Sequence, residues 1–136
     1  MTMLQFNGYR VTKMQYQRND SYQRGEAPIK FDPQIKATDK IDQNHIDVTL
    51  TLSVGSLKDK AIPFQVQCAV AGQFTYHPDE DSSSIGVDSL IRNNAVAILY
   101  PYVRAIVATL TTTSNEFPGY VMPTINVAEV LAHQDN

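Results

Sequence analysis

An α+β fold is predicted, because the legible strands precede the helices instead of alternating with them, in the order β-β-β-α-α. The two clearest strands are joined by a link too short for a parallel crossover, which makes the sheet at least partly antiparallel. At 136 residues and 43% apolar content the chain suits one domain over 1–136 with a real core.

The first strand opens with Leu4 and Phe6, and its apolar positions resume at Tyr9 and Val11 in the opposite phase, as a bulge at Gly8 would produce. Met14 and Tyr16 extend it. Residues 17–44 are polar, with Pro28 and Pro33 and isolated Tyr22, Ile29, Phe31, Ile35 and Ile41. That is long for a loop inside a compact domain, and such segments are usually functional or disordered.

Strict alternation then returns. Ile46, Val48, Leu50, Leu52 and Val54 are apolar, with His45, Asp47, Thr49, Thr51 and Ser53 between them, which predicts a strand with one wet face. A second run keeps its phase from Ile62 through Phe64, Val66, Cys68, Val70, Gly72, Phe74 and Tyr76. Residues 55–61 link the two as an antiparallel hairpin.

Residues 77–84 have a charged turn composition, and a helix is expected from Asp88 or Ser89. Val96, Leu99, Val103, Ile106, Val107 and Leu110 follow helical spacing, and Pro101 should kink the helix or divide it in two. Phe117-Pro118-Gly119 makes a turn, and Tyr120–Pro123 is extended. A last helix is expected from Asn126, which would cap it with Glu129 three residues on; Val127, Val130 and Leu131 form its apolar stripe. Residues 132–136 form a short tail.

Charge and composition narrow the function. Eleven basic and fourteen acidic residues give a net charge of -3 and a pI near 5.5, which offers no cationic surface for nucleic acid. A single cysteine and an N-terminus without basic or apolar signal regions point to the cytoplasm. The apolar run from Ala95 to Val103 is too short to cross a bilayer, so no membrane insertion is expected.

No catalytic residues are expected. Cys68 lies on the apolar phase of its strand and reads as a small core residue. His45, His77 and His133 are scattered, and the cluster His77, Asp79, Glu80 and Asp81 lacks the spacing and glycine of a calcium loop. The glycines occur singly and make no phosphate loop, so neither metal nor cofactor is expected. A hotdog-like thioesterase also pairs an antiparallel sheet with a long helix, but its helical Asp or Glu has no counterpart between Ser89 and Thr113.

The segment from Asn94 to Arg104, with Tyr100-Pro101-Tyr102-Val103-Arg104, resembles the SecB export-chaperone motif, in which an Asn and an apolar pair precede Phe-Pro-Tyr-Ala-Arg. Phe117-Pro118, Met122-Pro123, Ile125-Asn126-Val127 and Leu131 are similar to the family's later elements in order and spacing. Val70-Ala71-Gly72-Gln73-Phe74 resembles its third strand end.

The resemblance implies a four-stranded antiparallel sheet with a long crossover at 17–44, two C-terminal helices, and a homotetramer built as a dimer of dimers. It implies a holdase that binds unfolded polypeptides without ATP, and an oligomer interface including Tyr100, Tyr102 and Arg104. Grooves lined by the crossover, the sheet and the last helix would hold clients, which assigns Tyr22, Phe31, Ile35, Ile41, Phe74, Tyr76, Val127, Val130 and Leu131 to polypeptide binding. Family members that deliver cargo to SecA carry acidic residues on the exposed sheet face. Here the aligned position is Gln67, and the tail is short. The alternatives are therefore preprotein export, with SecA as partner, and a chaperone dedicated to an antitoxin in a toxin-antitoxin system. A purely structural assembly protein is a third reading, which predicts no protection of unfolded clients.

Overall fold

A computed structural model describes residues 4–78, 91–123, 126, 127 and 130. Four strands form one antiparallel sheet: β1 (Leu4–Arg18), β2 (Gln34–Asp42), β3 (His45–Gly55) and β4 (Phe64–Tyr76), in the spatial order β1-β4-β3-β2. A helix, α1 (Val96–Thr113), preceded by one π-helical turn at Ile91–Ala95, packs across β4, β3 and β1. The α+β class holds.

The alternation of β3 is realised fully: Ile46, Val48, Leu50, Leu52 and Val54 have no exposed surface. Register carries the same face across the sheet, pairing Val48 with Gly72, Leu50 with Val70 and Leu52 with Cys68. Gly72 is small for a reason. A Cβ there would lie 2.6 Å from Leu99 Cδ2, so only glycine lets α1 approach β4 this closely.

β1 slips register twice, once beside Gly8, where the bulge was expected and Asn7 is the residue without a partner position, and again at Thr12. The two bulges keep Phe6, Tyr9, Val11, Met14 and Tyr16 on the inner face, opposite Phe74, Gly72, Val70, Cys68 and Val66, although their spacing in sequence is irregular.

Part of the expected crossover is sheet. Residues 34–42 form β2, so the connection proper is 19–33. The strand escapes a period-two search because it is a short edge strand whose inner positions are Ile35, Ala37, Asp39 and Ile41. A small residue and a carboxylate interrupt that apolar face. Gln43 and Asn44 close the tight turn to β3, with Gln43 at φ +56°.

Pro101 does not divide the helix: α1 runs through it without a break. The proline removes the bond to the Ala97 carbonyl, but both residues lie on the exposed side, where water replaces the lost donor. Of the last helix, Val127 and Val130 have helical backbone, and the Val130 N–H donates to the Asn126 carbonyl at 3.1 Å. The expected helix start at Asp88 or Ser89, and Leu131, lie outside the described residues.

Candidate functional site

The connection 19–33 is bound at its first end to the link between β3 and β4 and at its second to the end of β3. Asn19 is buried, and its Nδ2 donates to the carbonyls of Asp59 (2.9 Å) and Ile62 (2.8 Å) while its Oδ1 accepts from the Ser21 N–H. All its polar atoms are thus partnered, as burial requires. Farther along, the Gln23 N–H donates to the Lys60 carbonyl, and the Phe31 carbonyl accepts from the Gly55 N–H at 3.0 Å.

These tethers bring Tyr22 and Phe31 into an aromatic cluster around the buried ring of Phe64. Phe31 stacks on Phe64 with ring centroids 4.9 Å apart and lies 4.8 Å from Tyr120. Phe117 sits 6.0 Å from Phe64 and meets Tyr22 edge-on at 5.6 Å. Tyr16 closes the group from β1, 5.3 Å from Phe64. Its hydroxyl is buried without a hydrogen-bond partner. Such centroid distances are those of favourable ring pairs.

Beside the cluster, Arg18 of β1 grips Glu116 in the turn after α1. Its Nε donates to Glu116 Oε1 at 2.7 Å and its Nη2 to Oε2 at 2.9 Å, while Nη1 pairs with Asp20 at 2.9 Å. The guanidinium holds the Glu116 carboxyl below the usual carboxylate range.

The residues assigned by resemblance do not all meet in this cluster. Phe74, Tyr76 and Ile41 lie toward the opposite end of the sheet, where Phe74 packs 5.2 Å from Phe6. Phe64 and Phe74 are ten residues apart on β4, about 33 Å. Ile35, Phe74 and Val127 are buried in the core, Tyr22, Phe31, Tyr76 and Val130 are half-buried, and Ile41 is exposed. Sequence reasoning missed Tyr16, Phe64, Phe117 and Tyr120 as partners of Tyr22 and Phe31. Phe64 carried only a strand signal, and the other end of the contact came from the turn around Pro118.

The assembly residues divide as well. Tyr100 faces inward, and its hydroxyl donates to the Pro123 carbonyl at 2.6 Å. Tyr102 is half-buried and stacks on Tyr9 at 4.1 Å; Arg104 is half-buried. The outward side of α1 presents Ala97, Pro101, Ala105 and Thr109, four residues apart and exposed, flanked by half-buried Ile98, Tyr102 and Ile106. Beside it, Tyr9, Val11 and Met14 on the inner face of edge strand β1 are 44%, 40% and 52% exposed.

Cys68 is fully buried opposite Met14 and Leu52, and burial pushes its thiol up to about 11. It should therefore react with iodoacetamide at neutral pH only on unfolding, and fast labelling of the native protein would show that the core is open.

The sequence profile of SecB, described as preprotein translocase subunit SecB, matches residues 13–136. The chain belongs to the SecB family. A protein-export protein SecB of Legionella pneumophila is 28% identical over 120 residues, covering 82% of this chain and 72% of that protein. An uncharacterised protein of Methanocaldococcus jannaschii is 29% identical over 134 residues, covering 96% and 83%. Among solved structures, a Mycobacterium tuberculosis SecB-like chaperone in complex with a ChAD peptide from the HigA1 antitoxin shares the fold. The TM-score is 0.68 at 18% identity, covering 90% of this chain and 91% of that one. A Streptococcus agalactiae protein of unknown function also shares it, with a TM-score of 0.52 at 13% identity, covering 89% and 97%.

Proposed function

We propose that this SecB-family protein is an ATP-independent holdase that binds unfolded polypeptide and performs no covalent chemistry. The observation that carries this reading is the aromatic cluster, where a tethered connection lays Tyr22 and Phe31 beside Phe64, Phe117 and Tyr120, all of them half-buried except the core residue Phe64. Half-buried rings at a surface bind many sequences, because apolar contact is non-directional. Binding the unfolded state lowers the free concentration of chains that would aggregate.

The test is to dilute a chemically unfolded, aggregation-prone protein into buffer with this protein and no nucleotide, and to record light scattering. Suppression at near-stoichiometric amounts is expected. Undiminished scattering over a range of unfolded proteins would overturn a general holdase. Phe31→Ser should weaken suppression severalfold at a stability loss of about 1–3 kcal/mol, the range for truncating a half-buried ring. Unchanged suppression would remove Phe31 from the client site.

Self-association accompanies this function. An α1 that is apolar on both sides, with no charge but Arg104, needs cover on its outward side. By length and composition it could pass for a membrane span, but its inward side packs on the sheet and Pro101 and Arg104 interrupt it. A second copy supplies the cover, and the reading is a cytoplasmic homotetramer, a dimer of dimers.

Preproteins are the first client class, following the likeness to export proteins. The dedicated-antitoxin alternative is favoured by one feature: Gln67 lies between Gln15 and Ser53 on the outer sheet face, an amide where SecA-coupled members carry acid. Binding of purified SecA would support export; a specific complex with an antitoxin encoded beside the chaperone would support the alternative.

A further inference from the structure

We infer that the outer face of the sheet is a docking surface for an acidic polypeptide segment, which crosses the strands between Lys13 on β1 and Lys36 on β2. The face lies apart from the aromatic cluster, so the inference goes beyond the holdase reading and does not depend on it.

The charge on this face is one-sided. Its outward positions carry Arg10, Lys13, Lys36 and Lys40 against Asp42 and Asp47, in a chain whose net charge is -3. Asp47 stands opposite Lys40 and Asp42 opposite His45, so each acid has a neighbour able to balance it. Arg10, Lys13 and Lys36 are exposed, and among the described residues none of them has a carboxylate within ion-pairing distance. This polarity is the reverse of the acidic sheet face of members that deliver cargo to SecA, and it calls for a partner of the opposite charge.

Register sets these cations at two poles. Across the strands one row reads Lys13, Ala69, Thr51 and Lys36, and the row beside it reads Arg10, Ala71, Thr49 and Thr38. Only short side chains occupy the middle of both rows, and Ala69 and Ala71 are buried although they point outward. A partner's backbone can therefore lie close to the sheet. Three strand spacings separate Lys13 from Lys36, roughly 14 Å, which an extended polypeptide covers in about four residues. Residues four apart in an extended chain share a face, so a pair of carboxylates at that spacing meets both poles.

The second bulge of β1 aims the first pole. Thr12 has no partner position, and its hydroxyl donates to the Ala69 carbonyl at 3.3 Å. Without this extra residue Lys13 would fall opposite Cys68, on the inner face. The slip turns Lys13 outward, beside Arg10.

Other anionic partners fit less well. Three unbalanced cations at two poles neutralise too few phosphates to hold a nucleic acid. The face also has neither aromatic anchors nor the cluster of about four to eight basic residues that holds a protein on an anionic membrane.

The probe is the end-capped peptide Ser-Glu-Glu-Ser-Ala-Ser-Glu-Glu-Ser, titrated into the full chain while backbone amide resonances are followed by NMR. Saturable shifts are expected at Thr49, Thr51, Ala69 and Ala71. Lys13→Glu with Lys36→Glu should weaken binding by roughly ten-fold or more, from two exposed ion pairs turned repulsive. Lys58→Glu with Lys60→Glu makes the same charge change in the exposed link between β3 and β4, and should weaken binding less than about two-fold. The isomeric peptide Ser-Ser-Glu-Glu-Glu-Glu-Ala-Ser-Ser, whose carboxylates cannot reach both poles, should bind roughly three-fold more weakly. Suppression of scattering should be the same in the Lys13→Glu, Lys36→Glu protein as in the unmodified one.

Equal weakening by the two double variants, or equal binding of a peptide with Lys in place of each Glu, would overturn the docking surface. Equal affinity for the isomeric peptide would overturn the crossing from Lys13 to Lys36. If phosphatidylserine vesicles or single-stranded RNA shift these resonances and the acidic peptide does not, the face belongs to a membrane or a nucleic acid and the proposal falls. Suppressed scattering without peptide shifts overturns this inference alone, whereas peptide shifts without suppression overturn the holdase reading and leave the docking surface standing.

Discussion

Gly55→Ala should leave little folded protein. Gly55 ends β3 at φ +88°, a conformation unfavourable for residues with a Cβ, and an added Cβ would fall on the backbone carbonyl of Phe64. Backbone gives way less readily than a flexible side chain, so relief requires β3 and β4 to part at this end. The Gly55 N–H would then lose the Phe31 carbonyl, and the Ser56 N–H the Phe64 carbonyl. A loss of about 3–5 kcal/mol is expected, from a strained left-handed residue plus broken packing. Against a typical net stability of about 5–15 kcal/mol, that is enough to move the urea midpoint far down or to unfold the domain. Because Phe31 hangs from Gly55, the aromatic cluster should come apart with the turn. A midpoint equal to that of the unmodified protein would show that the turn does not need the left-handed geometry.

Ala105→Asp should break the proposed assembly while sparing the protomer. Ala105 lies exposed in the middle of the outward stripe of α1, so a carboxylate there is hydrated in an isolated copy. In an interface between copies it would be buried without a partner, at a cost of about 2–5 kcal/mol. That corresponds to roughly a 30-fold or greater loss of affinity between copies. Sedimentation should show a species smaller than the tetramer, no larger than the dimer that the other interface holds, with unchanged helical circular dichroism. An oligomer that survives the change would move the interface off this stripe, and an unmodified protein that sediments as a monomer would remove the assembly altogether.

Legibility in the sequence followed burial. β3 and β4 have one face wholly in the core, so each second residue had to be apolar, and both strands and their hairpin could be read directly. The Gly8 bulge showed as a phase change, whereas the second slip, at Thr12, was hidden because Met14 and Tyr16 could be taken as a simple continuation. β2 was invisible to periodicity because an edge strand needs only part of an apolar face, and Asp39 occupies one inner position. The fourth strand came from resemblance alone. For the site, the isolated aromatics Tyr22 and Phe31 were assigned to clients because a polar connection offers no periodic core face; in the structure both are half-buried against other rings, Phe31 on Phe64 and Tyr22 on Phe117. Their partners on β1, β4 and the turn after α1 are contacts between distant residues, which no local pattern encodes. Asn19 was missed for the same reason, since its task is to satisfy carbonyls 40 and 43 residues away.

The strand order β1-β4-β3-β2 sets a schedule for synthesis. The first strand to leave the ribosome bonds to β4 alone, so Leu4–Arg18 has no sheet partner until Phe64–Tyr76 has been made. β2 and β3 pair through a two-residue turn and can close early, but β1 must wait across a long loop whose closure carries an entropic cost. During that wait Tyr9, Val11 and Met14 travel on an unpaired N-terminal segment. On the holdase reading, the nascent chain is during that wait the kind of unfolded segment that mature copies of the same protein would bind.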